Sequence, residues 1–560
     1  MKSEYIWEKG GLVSDLDEFR RLILKKRLRG DQSDADFLNP RFDFADPFLL
    51  TDMQKAVNRI AKAIENREKV LIYGDYDADG VTSLALLYEL LDYFDIKPQV
   101  YIPDRMTEGY GIKYSVLKRF FEEGISLVIT VDCGIREVEV SKKILLLGLD
   151  MIVTDHHELG AKIPEAVAIV NPKRPNSKYP ERELAGVGVV YALARALMDF
   201  MKVEEVERER FLKWNLDLVA VGTVADMVPL LGENRILVKY GLIVLAKSKK
   251  KGLRELMNFS GIRNRTLTSW DIGFGLAPRI NATGRIDDAN HSFNLLIEKE
   301  QLEAEILAKS IESKNQERKQ LTEDIWEKIK IELDEQNLPA CIMMVNEGWS
   351  KGVLGLIASK AIRHYNRPAI VATIDGNKVV GSARSIFGIN VVKLLDLNCD
   401  YLSQYGGHEK AAGLTLDRSN WENFRMKMNN DIEKLLEKED LRPKLEIDAQ
   451  IRFDLISDSL WNVIELLHPF GIANEEPLFM TNRCLVSKTR MIGRNNNHFK
   501  MFFSLPNGGS IEGIMWNCPD LQREIESGDT IDLVYNLRKN VWQDRENYLL
   551  NIIDFKKNEE

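Results

Sequence analysis

The feature that most restricts the fold of this 560-residue chain is a short apolar run that ends in three aspartates. Residues 70–74 are apolar and of strand length, and Asp75, Asp77 and Asp79 then occupy alternate positions before Gly80. If the chain stays extended there, the two-residue period points all three carboxylates to one side. Neighbouring anions repel unless a cation lies between them. The segment therefore predicts either a site for a hard divalent cation such as Mg²⁺ or Mn²⁺, or an Asp/Gly-rich turn after a strand.

The same order, a strand and then an acid, occurs twice more. One apolar run ends at Asp132, and another ends at the triplet Asp155, His156 and His157. Helical patterns separate the runs, and alternating strands and helices indicate a parallel sheet covered on both faces. Ligands of such sheets bind outside the carboxyl ends of the strands. The sequence thus gathers potential metal ligands at one sheet edge: Asp75, Asp77, Asp79, Asp132, Asp155 and His156.

A further acid, Asp226, stands at the end of the apolar, helix-like residues 218–229. An aspartate in that position is either a helix-end residue in solvent or a ligand that faces inward. The local pattern alone leaves both interpretations open.

Composition excludes several classes of protein. With 44% hydrophobic and 29% charged residues, the chain is typical of a soluble globular protein, and its length predicts roughly three domains. No apolar run approaches the roughly 20 residues of a membrane span, and the first residues lack a signal-peptide core. Five scattered cysteines form no CxxC pair, which favours reduced thiols and a cytoplasmic location.

The formal net charge of −9 argues against a nucleic-acid partner, but the charge is unevenly distributed. Residues 478–511 contain no Asp or Glu and carry several basic side chains, with Phe499, Phe502 and Phe503 among them. Basic charge mixed with aromatic rings is typical of single-strand binders. The alternative is the basic face of a small β-domain.

The pattern along the chain predicts an α/β protein of several regions. These are a lead (1–50) that we expect to lie over the first domain, an α/β domain (51–240), a helical region ending in a long connecting helix (241–335), a second α/β unit (336–440) and a small β-barrel (444–556).

The ordered motifs GDYDADG, VDCG, TDHH and VGTVADMVPL resemble the DHH phosphoesterase superfamily and, within it, the RecJ family of bacterial single-strand-specific DNA exonucleases. Residues 277–285, 381–385 and 405–413 are similar to that family and its DHH-associated domain, and the terminal β-region stands where the family has an OB-fold. Shorter superfamily members carry a histidine four residues before the first aspartate of their DxD, whereas this chain has Tyr73 there, with Asp75 between.

The resemblance implies a two-metal phosphodiesterase site for Mn²⁺ or Mg²⁺. Asp75 and Asp77 would hold one ion, and Asp79, His156 and Asp226 would hold the other. The remaining catalytic positions would be filled by Asp132 as the bridge between the ions, His157 facing the scissile phosphate, and Asp155 orienting a histidine.

The resemblance also implies a substrate side of the cleft. Arg279, Ser382 and Arg384 would hold the 5′-terminal phosphate, although a surface ion pair is the simpler explanation of Arg384 taken alone. Four further residues complete the expected contacts with the strand: Asn281, Gly406, Gly407 and His408. Such a protein would degrade single-stranded DNA 5′ to 3′ to mononucleotides in recombination and repair, as a monomer. Its implied partners are single-strand-binding protein and a RecQ-type helicase.

Two alternatives belong to other functional classes. One is a DHH phosphodiesterase for short oligonucleotides or a small phosphoanhydride, which the chain length, the added β-region and Tyr73 disfavour. The other is a non-catalytic scaffold that binds single strands, which the intact set of acids disfavours.

Overall fold

The computed structural model describes residues 5–30, 32–109, 111–333, 337–436, 442–494, 496–506, 508–518, 525–542 and 545–557. They belong to two compact units, a larger one formed by Phe42–Asp440 and a smaller one formed by Met1–Arg41 with Leu441–Glu560. The domain boundaries predicted at residues 335, 336 and 440 lie outside the described residues. No helix among the described residues is long and apolar enough to cross a membrane. The first elements along the chain belong to the smaller unit and are β1 (Ile6–Glu8), β2 (Gly11–Leu12), α1 (Leu16–Lys25) and α2 (Asp34–Leu38).

The larger unit begins with a parallel sheet in the strand order β4-β3-β5-β6-β7. Every residue of β3 and β5 is buried, because helices cover both faces of the sheet. The elements are α3 (Met53–Glu65), β3 (Val70–Gly74), α4 (Ala78–Tyr93), β4 (Gln99–Tyr101), α5 (Tyr114–Glu122), β5 (Leu127–Val131), α6 (Val138–Leu147), β6 (Asp150–Thr154), β7 (Ala168–Val170) and α7 (Gly186–Phe200). The predicted parallel α/β sheet is confirmed.

A helical region follows, and its last member is the long helix predicted from the sequence. The elements are α8 (Glu205–Trp214), α9 (Leu216–Ala225), α10 (Gly232–Leu245), α11 (Lys251–Ser260), a π-helical turn (Asp271–Leu276), α12 (Ala277–Ile286), α13 (Asn290–Ile297) and α14 (Gln301–Glu332). Helix α12 packs on α14 and also contacts α4, the helix that contains Asp79 and directly follows Asp75 and Asp77.

The second α/β part of the larger unit has the strand order β11-β12-β10-β9-β8, in which only β8 and β9 are parallel neighbours. Its elements are β8 (Ile342–Glu347), α15 (Leu354–Tyr365), β9 (Ala369–Asp375), β10 (Lys378–Arg384), α16 (Val391–Leu397), β11 (Leu402–His408), β12 (Ala411–Asp417) and α17 (Trp421–Leu436). Arg285, at the end of α12, donates from Nη1 to the carbonyl oxygen of Gly352 (3.2 Å), which ties this part to the helical region.

The smaller unit contains a closed barrel in which β15 pairs with both β16 and β18. The strand order is β15-β16-β17-β19-β18, so the predicted small β-barrel is confirmed. Its elements are β13 (Lys444–Glu446), β14 (Ala449–Gln450), α18 (Asp458–Leu467), β15 (Phe479–Ile492), β16 (His498–Ser504), β17 (Ser510–Met515), β18 (Thr530–Trp542) and β19 (Arg545–Lys557).

The expected aromatic surface of this barrel is largely wrong. Phe499 and Phe503 are buried in the barrel core, and only the half-buried Phe502 lies on the other face of β16, below Lys500. The period of a strand explains the difference, since alternate residues point to opposite faces. The exposed aromatic residue of this region is instead Trp516, directly after β17, whose ring lies 4.8 Å from that of His498.

Residues 5–30 and 32–41 belong to the smaller unit, and the expectation that residues 1–50 lie over the first domain stays a prediction. Strand β1 pairs with β13 and β2 with β14, both in parallel. Buried Arg27 donates to Asn474 Oδ1 (2.8 Å) and to the carbonyl oxygen of Glu475 (2.7 Å). Strands of three and two residues, whose partners lie more than 400 residues away, leave no local pattern to detect.

We expect Arg27→Ala to destabilise the smaller unit by about 2–4 kcal/mol, because the buried amide and carbonyl oxygens would lose their donor. Thermal unfolding and limited proteolysis of the full chain measure this. The exposed Arg21→Ala on the preceding helix α1 is the control, and equal stability of the two variants would contradict the assignment.

Candidate metal centre

The three aspartates of the first motif lie in a strand-to-helix turn, so the expectation of one extended face is wrong. Strand β3 ends at Gly74 and α4 begins at Ala78. Asp77 is the N-cap, and its Oδ1 accepts hydrogen bonds from the amides of Asp79 (2.9 Å) and Gly80 (3.0 Å). N-cap aspartates satisfy the free amides of a first turn. The turn, and not strand pleating, therefore positions these carboxylates.

Asp79 is buried at the amino end of α7. Its carboxylate accepts hydrogen bonds from the amides of Gly186 (2.6 Å) and Val187 (2.9 Å). The partial positive charge of a helix N-terminus favours an anion there. A Cβ at Gly186 would lie 2.7 Å from Asp132 Oδ1, so the approach of α7 to the acids requires glycine at this position.

His156 is the centre of the cluster. Its Nε2 lies 3.1 Å from Asp132 Oδ1, 3.5 Å from Asp226 Oδ2 and 3.9 Å from Asp79 Oδ2. Within the described part of the chain, the buried His156 Nε2 and Asp132 Oδ1 have no hydrogen-bond partner. Buried polar atoms without partners are rare in proteins. Their convergence indicates a site for a cation.

Three overlapping groups of side chains place ligand atoms within 4.8 Å of one another. Carboxylate oxygens dominate these groups, and the imidazoles add nitrogen, a donor set suited to Mn²⁺ or Mg²⁺. The groups are Asp75 with Asp77 and Asp132, Asp79 with His156 and Asp226, and Asp132 with His156 and His157.

Asp155 lies behind this cluster and fixes the histidines. Its Oδ1 accepts hydrogen bonds from the amide of His156 (2.7 Å) and from Nδ1 of His157 (2.8 Å), while Oδ2 accepts from the amide of Ile135 (2.9 Å). Burial favours a higher pKa for Asp155, but the hydrogen bond and charge of His157 outweigh it and hold that pKa below its ordinary value. Asp155 is thus an anion that orients His157.

The pKa values of the cluster show a shortage of positive charge. Burial, followed by the charge of Asp77, raises the pKa of Asp75 to about 8 and that of Asp79 to about 7. Burial and then the charge of Asp79 raise the pKa of Asp132 and Asp226 well above the usual range. Burial and the charge of His157 lower the pKa of His156 to about 3, so its imidazole is neutral and able to bind a metal.

Asn281 and Arg279, both on α12, serve mainly to hold the protein together in this structure. Asn281 Oδ1 accepts from the amide of Ala78 (2.8 Å), where α4 begins. The guanidinium of Arg279 donates to Glu312 Oε2 (2.6 Å) and to the carbonyl oxygens of Gly275 (2.6 Å) and Phe259 (3.2 Å). This arrangement favours a positioning role for Arg279, and its predicted contact with a phosphate stays a prediction.

Ser382 and Arg384 lie together on β10, where Arg384 Nη1 donates to Ser382 Oγ (2.9 Å). Burial, and then the positive charges of Arg105 and Arg318, lower the pKa of Arg285 to about 9. Burial and Arg105 also lower the pKa of Arg384. The positive charges of these arginines therefore act on one another, and the anion that acts on Arg285 is Asp77. The sequence did not single out Arg285 as a phosphate-binding residue, although Arg285 ends the family-like segment 277–285.

The glycine-rich strand β11 brings His408 toward the DHH motif. The His408 side chain is exposed, and its pKa is lowered by partial burial and then by the positive charges of Arg136 and His157. Gly407, with φ of 154°, has no room for a side chain, because a Cβ would lie 2.2 Å from the carbonyl oxygen of Ala411. Gly406 has open space around it, and its predicted contact with the strand stays a prediction.

Comparison with known families places three domains on the chain. Residues 69–223 match the N-terminal domain of the DHH family, residues 337–437 match the DHHA1 domain and residues 447–554 match the RecJ OB domain.

Two RecJ exonucleases are similar to this chain over most of its length. The single-stranded-DNA-specific exonuclease RecJ of Bacillus subtilis is 38% identical over 538 residues, which cover 95% of this chain and 67% of that protein. The RecJ of Dickeya dadantii is 30% identical, with 93% and 92% of the two chains covered.

Solved structures agree with the sequence relatives. The crystal structure of RecJ in complex with Mn²⁺ from Thermus thermophilus has a TM-score of 0.82 at 26% identity and covers 100% of this chain and 81% of that one. A crystal structure of exonuclease RecJ bound to manganese has a TM-score of 0.60 at 31% identity and covers 69% and 95%.

We expect the metal-free protein to lose stability as the pH rises from about 4 to 8. The pKa values of Asp75 and Asp79 are raised above the ordinary aspartate value of about 4, so the folded state holds protons that the unfolded state has released. Asp132 ionises readily in the unfolded state, whereas burial and the neighbouring carboxylates oppose its ionisation in the folded state, so Asp132→Asn should raise the Tm in EDTA at pH 8. It should also abolish most of the stabilisation by Mn²⁺, which for wild type reaches about 2.7 kcal/mol at a hundredfold excess over Kd.

Differential scanning calorimetry with EDTA or Mn²⁺ tests this, with the exposed Asp400→Asn as control. A lower Tm of Asp132→Asn in EDTA at pH 8, or an unchanged response to Mn²⁺, would contradict charge repulsion as the cause.

Proposed function

Since the chain belongs to the RecJ family, we propose that it is a metal-dependent exonuclease that degrades single-stranded DNA from the 5′ end to mononucleotides in recombination and repair. The observation that carries the proposal is the convergence of carboxylates and a neutral histidine at one sheet edge, around buried atoms without hydrogen-bond partners. The resemblance adds single-strand-binding protein and a RecQ-type helicase as predicted partners.

Two divalent ions, Mn²⁺ or Mg²⁺, fit the ligand groups of the cluster. Asp75 and Asp77 would hold one ion and Asp79, His156 and Asp226 the other, with Asp132 between them. Bound ions of this kind activate a water molecule and stabilise the charge of the phosphate and the leaving oxygen.

The protein itself prepares the site in two ways. His156 is held neutral by burial, so its ring nitrogen is available without loss of a proton. Burial favours a lower pKa for His157, but its hydrogen bond to Asp155 outweighs burial and raises that pKa. We therefore assign to His157 a protonated ring that donates to an oxygen of the scissile phosphate.

The 5′-terminal phosphate is assigned to the cluster around Arg384. A Cβ at Gly355 would lie 2.7 Å from Arg384 Nη2 and 3.1 Å from Ser382 Oγ, so the first turn of α15 approaches both side chains closely. Helix N-termini favour anions, and guanidinium groups pair with phosphate oxygens. With Arg285 nearby, this pocket supports recognition of a strand end.

The exonuclease assignment is tested by a time course on 3′-labelled single-stranded DNA with Mn²⁺, Mg²⁺ or EDTA, beside a matched blunt duplex. Shortening from the 5′ end that requires metal and spares the duplex is the expected result, and Asp132→Ala should abolish it. Substantial cleavage by Asp132→Ala, or cleavage of very short oligonucleotides only, would overturn the assignment.

Arg384→Ala should slow degradation of 5′-phosphorylated strands about tenfold or more, and of 5′-hydroxyl strands much less, because only the phosphate needs the charged hydrogen bonds. Initial rates on the two substrates give the ratio. Arg363→Ala, an exposed change on α15, serves as control. Equal losses on both ends would reject the phosphate pocket.

The barrel is proposed as a second contact with the strand, through the 51% exposed Trp516 and the exposed Arg490 and Arg494. Trp516→Ala should weaken binding of long single strands about tenfold, and Arg494→Gln should reduce the salt dependence of binding. Fluorescence anisotropy at several salt concentrations measures both. Point substitutions are preferable to truncation near residue 444, which would remove the partners of β1 and β2. Unchanged binding by both variants would exclude this surface.

A further inference from the structure

Trp270 and Phe274 form a stacked aromatic pair on the surface of the larger unit. Their ring centroids lie 5.0 Å apart with planes inclined by 23°, and the two residues are 63% and 64% exposed. Large apolar side chains are normally withdrawn from water, and an exposed apolar patch marks a contact surface.

The turn that carries this pair is fixed at both ends. Asp271 is buried, and its Oδ2 accepts hydrogen bonds from the amide (2.8 Å) and hydroxyl (2.9 Å) of Thr268. At the other end, Arg279 binds the carbonyl oxygens of Gly275 and Phe259. The intervening turn is π-helical, a rare conformation that occurs often at functional sites. The pair is thus a preformed platform.

The turn that carries the platform packs against α9, the helix that ends at Asp226. The nearest atom to a Cβ built on Gly273 would be Val224 Cγ1 at 4.0 Å, and Val224 precedes Asp226 by two residues. Met227, which follows Asp226, is 65% exposed and adds apolar surface on that side.

Helix α12 continues directly from the π-helical turn and relates the platform to the other groups. From Trp270 to Asn281, which contacts the start of α4, the distance along the helix is about 16 Å at ~1.5 Å per residue. Arg285 stands at the far end of α12, on the side of Arg384. The phosphate cluster, the acids and the aromatic pair therefore follow one another along one helix.

Two basic residues, Arg263 and Arg265, precede the platform in the segment that leads to Trp270. Arg265 forms an ion pair with the buried Asp271, and Arg263 donates to Asn258 Oδ1 (2.8 Å). Aromatic faces beside basic side chains are the combination that binds single strands through stacking and phosphate contacts.

We propose that Trp270 and Phe274 form a base-stacking subsite for the strand on the 3′ side of the scissile phosphate. The inference rests on the proposed function, since a strand with its 5′ phosphate at Arg384 and its scissile bond at the acids leaves toward this pair. The subsite holds bases a few nucleotides from the cut. It shows no sequence preference, because every base has a π-face.

The first test compares initial rates on 5′-phosphorylated dT2 and dT12, and on dT12 with abasic residues at positions 3–5. The variants are Trp270→Ala with Phe274→Ala, the conservative Trp270→Phe with Phe274→Tyr, and Phe200→Ala, an aromatic residue that is 41% exposed at the end of α7. We expect the double alanine variant to match wild type on dT2 and to lose about tenfold on dT12. Wild type should lose as much on the abasic strand, whereas the double alanine variant should lose nothing further there.

A second measurement does not depend on turnover. In the Asp132→Asn background, dT12 with 2-aminopurine at position 3, 4 or 5 should show quenched fluorescence on binding. Addition of the alanine pair should remove that quenching, and the aromatic substitutions should preserve it.

Equal losses on dT2 and dT12, or quenching that survives the alanine pair, would overturn the subsite and leave the patch as a surface for another protein. If wild type cleaves neither oligonucleotide, the proposed function fails. The fluorescence result then still decides whether the pair stacks on bases.

Discussion

The structure depends on the repulsion among carboxylates that are buried together at the carboxyl edge of a parallel sheet. Several of these acids are held by donors that the fold supplies. Asp77 accepts hydrogen bonds from the first backbone amides of α4, and Asp79 accepts hydrogen bonds from those of α7. Asp155 accepts two amides and a histidine nitrogen. Burial, followed by the negative charge of Asp79, raises the pKa of Asp132 and Asp226, and the remaining negative charge is left for divalent cations to balance. The positions of these helix termini and strand ends are therefore explained by the need to hold several carboxylates close together.

Sequence reasoning succeeded where the signal is local. Apolar runs that end in acids located β3, β5 and β6, and the parallel order of these strands then brought Asp132 and His156 together with the first motif. Contacts that join distant segments leave no such local signal. Nothing in the sequence near Ile6 or Gly11 indicates pairing with residues 444–450, and nothing near Arg279 indicates its hydrogen bonds to Glu312 and to two carbonyl oxygens.

Two other differences arose within single elements. The alternating aspartates predict an extended strand with all three carboxylates on one side, but Asp77 is an N-cap and a helix begins at Ala78. In the barrel, the phenylalanines around residue 500 predict an aromatic surface, but alternate residues of a strand point to opposite faces, and Phe499 and Phe503 point into the core. In both cases the residues were identified and the periodicity decided their direction.

Helix α12 organises the proposed chemistry, since one end lies by the arginine cluster, its middle contacts the start of α4 and its beginning continues the aromatic turn. Arg279, whose contact with a phosphate stays a prediction, connects that turn to α11 and α14. Helix α12 and the turn before it thus set the positions of the arginine cluster and the aromatic pair relative to the acids.

Whether the buried acids hold two ions is tested most directly by the Mn²⁺ stoichiometry of the full chain, measured by isothermal titration calorimetry. We predict two ions for wild type, one ion for Asp75→Asn with Asp77→Asn, and one ion for Asp226→Asn. Loss of both ions from either variant, or a single ion in wild type, would contradict a site built from two overlapping carboxylate groups.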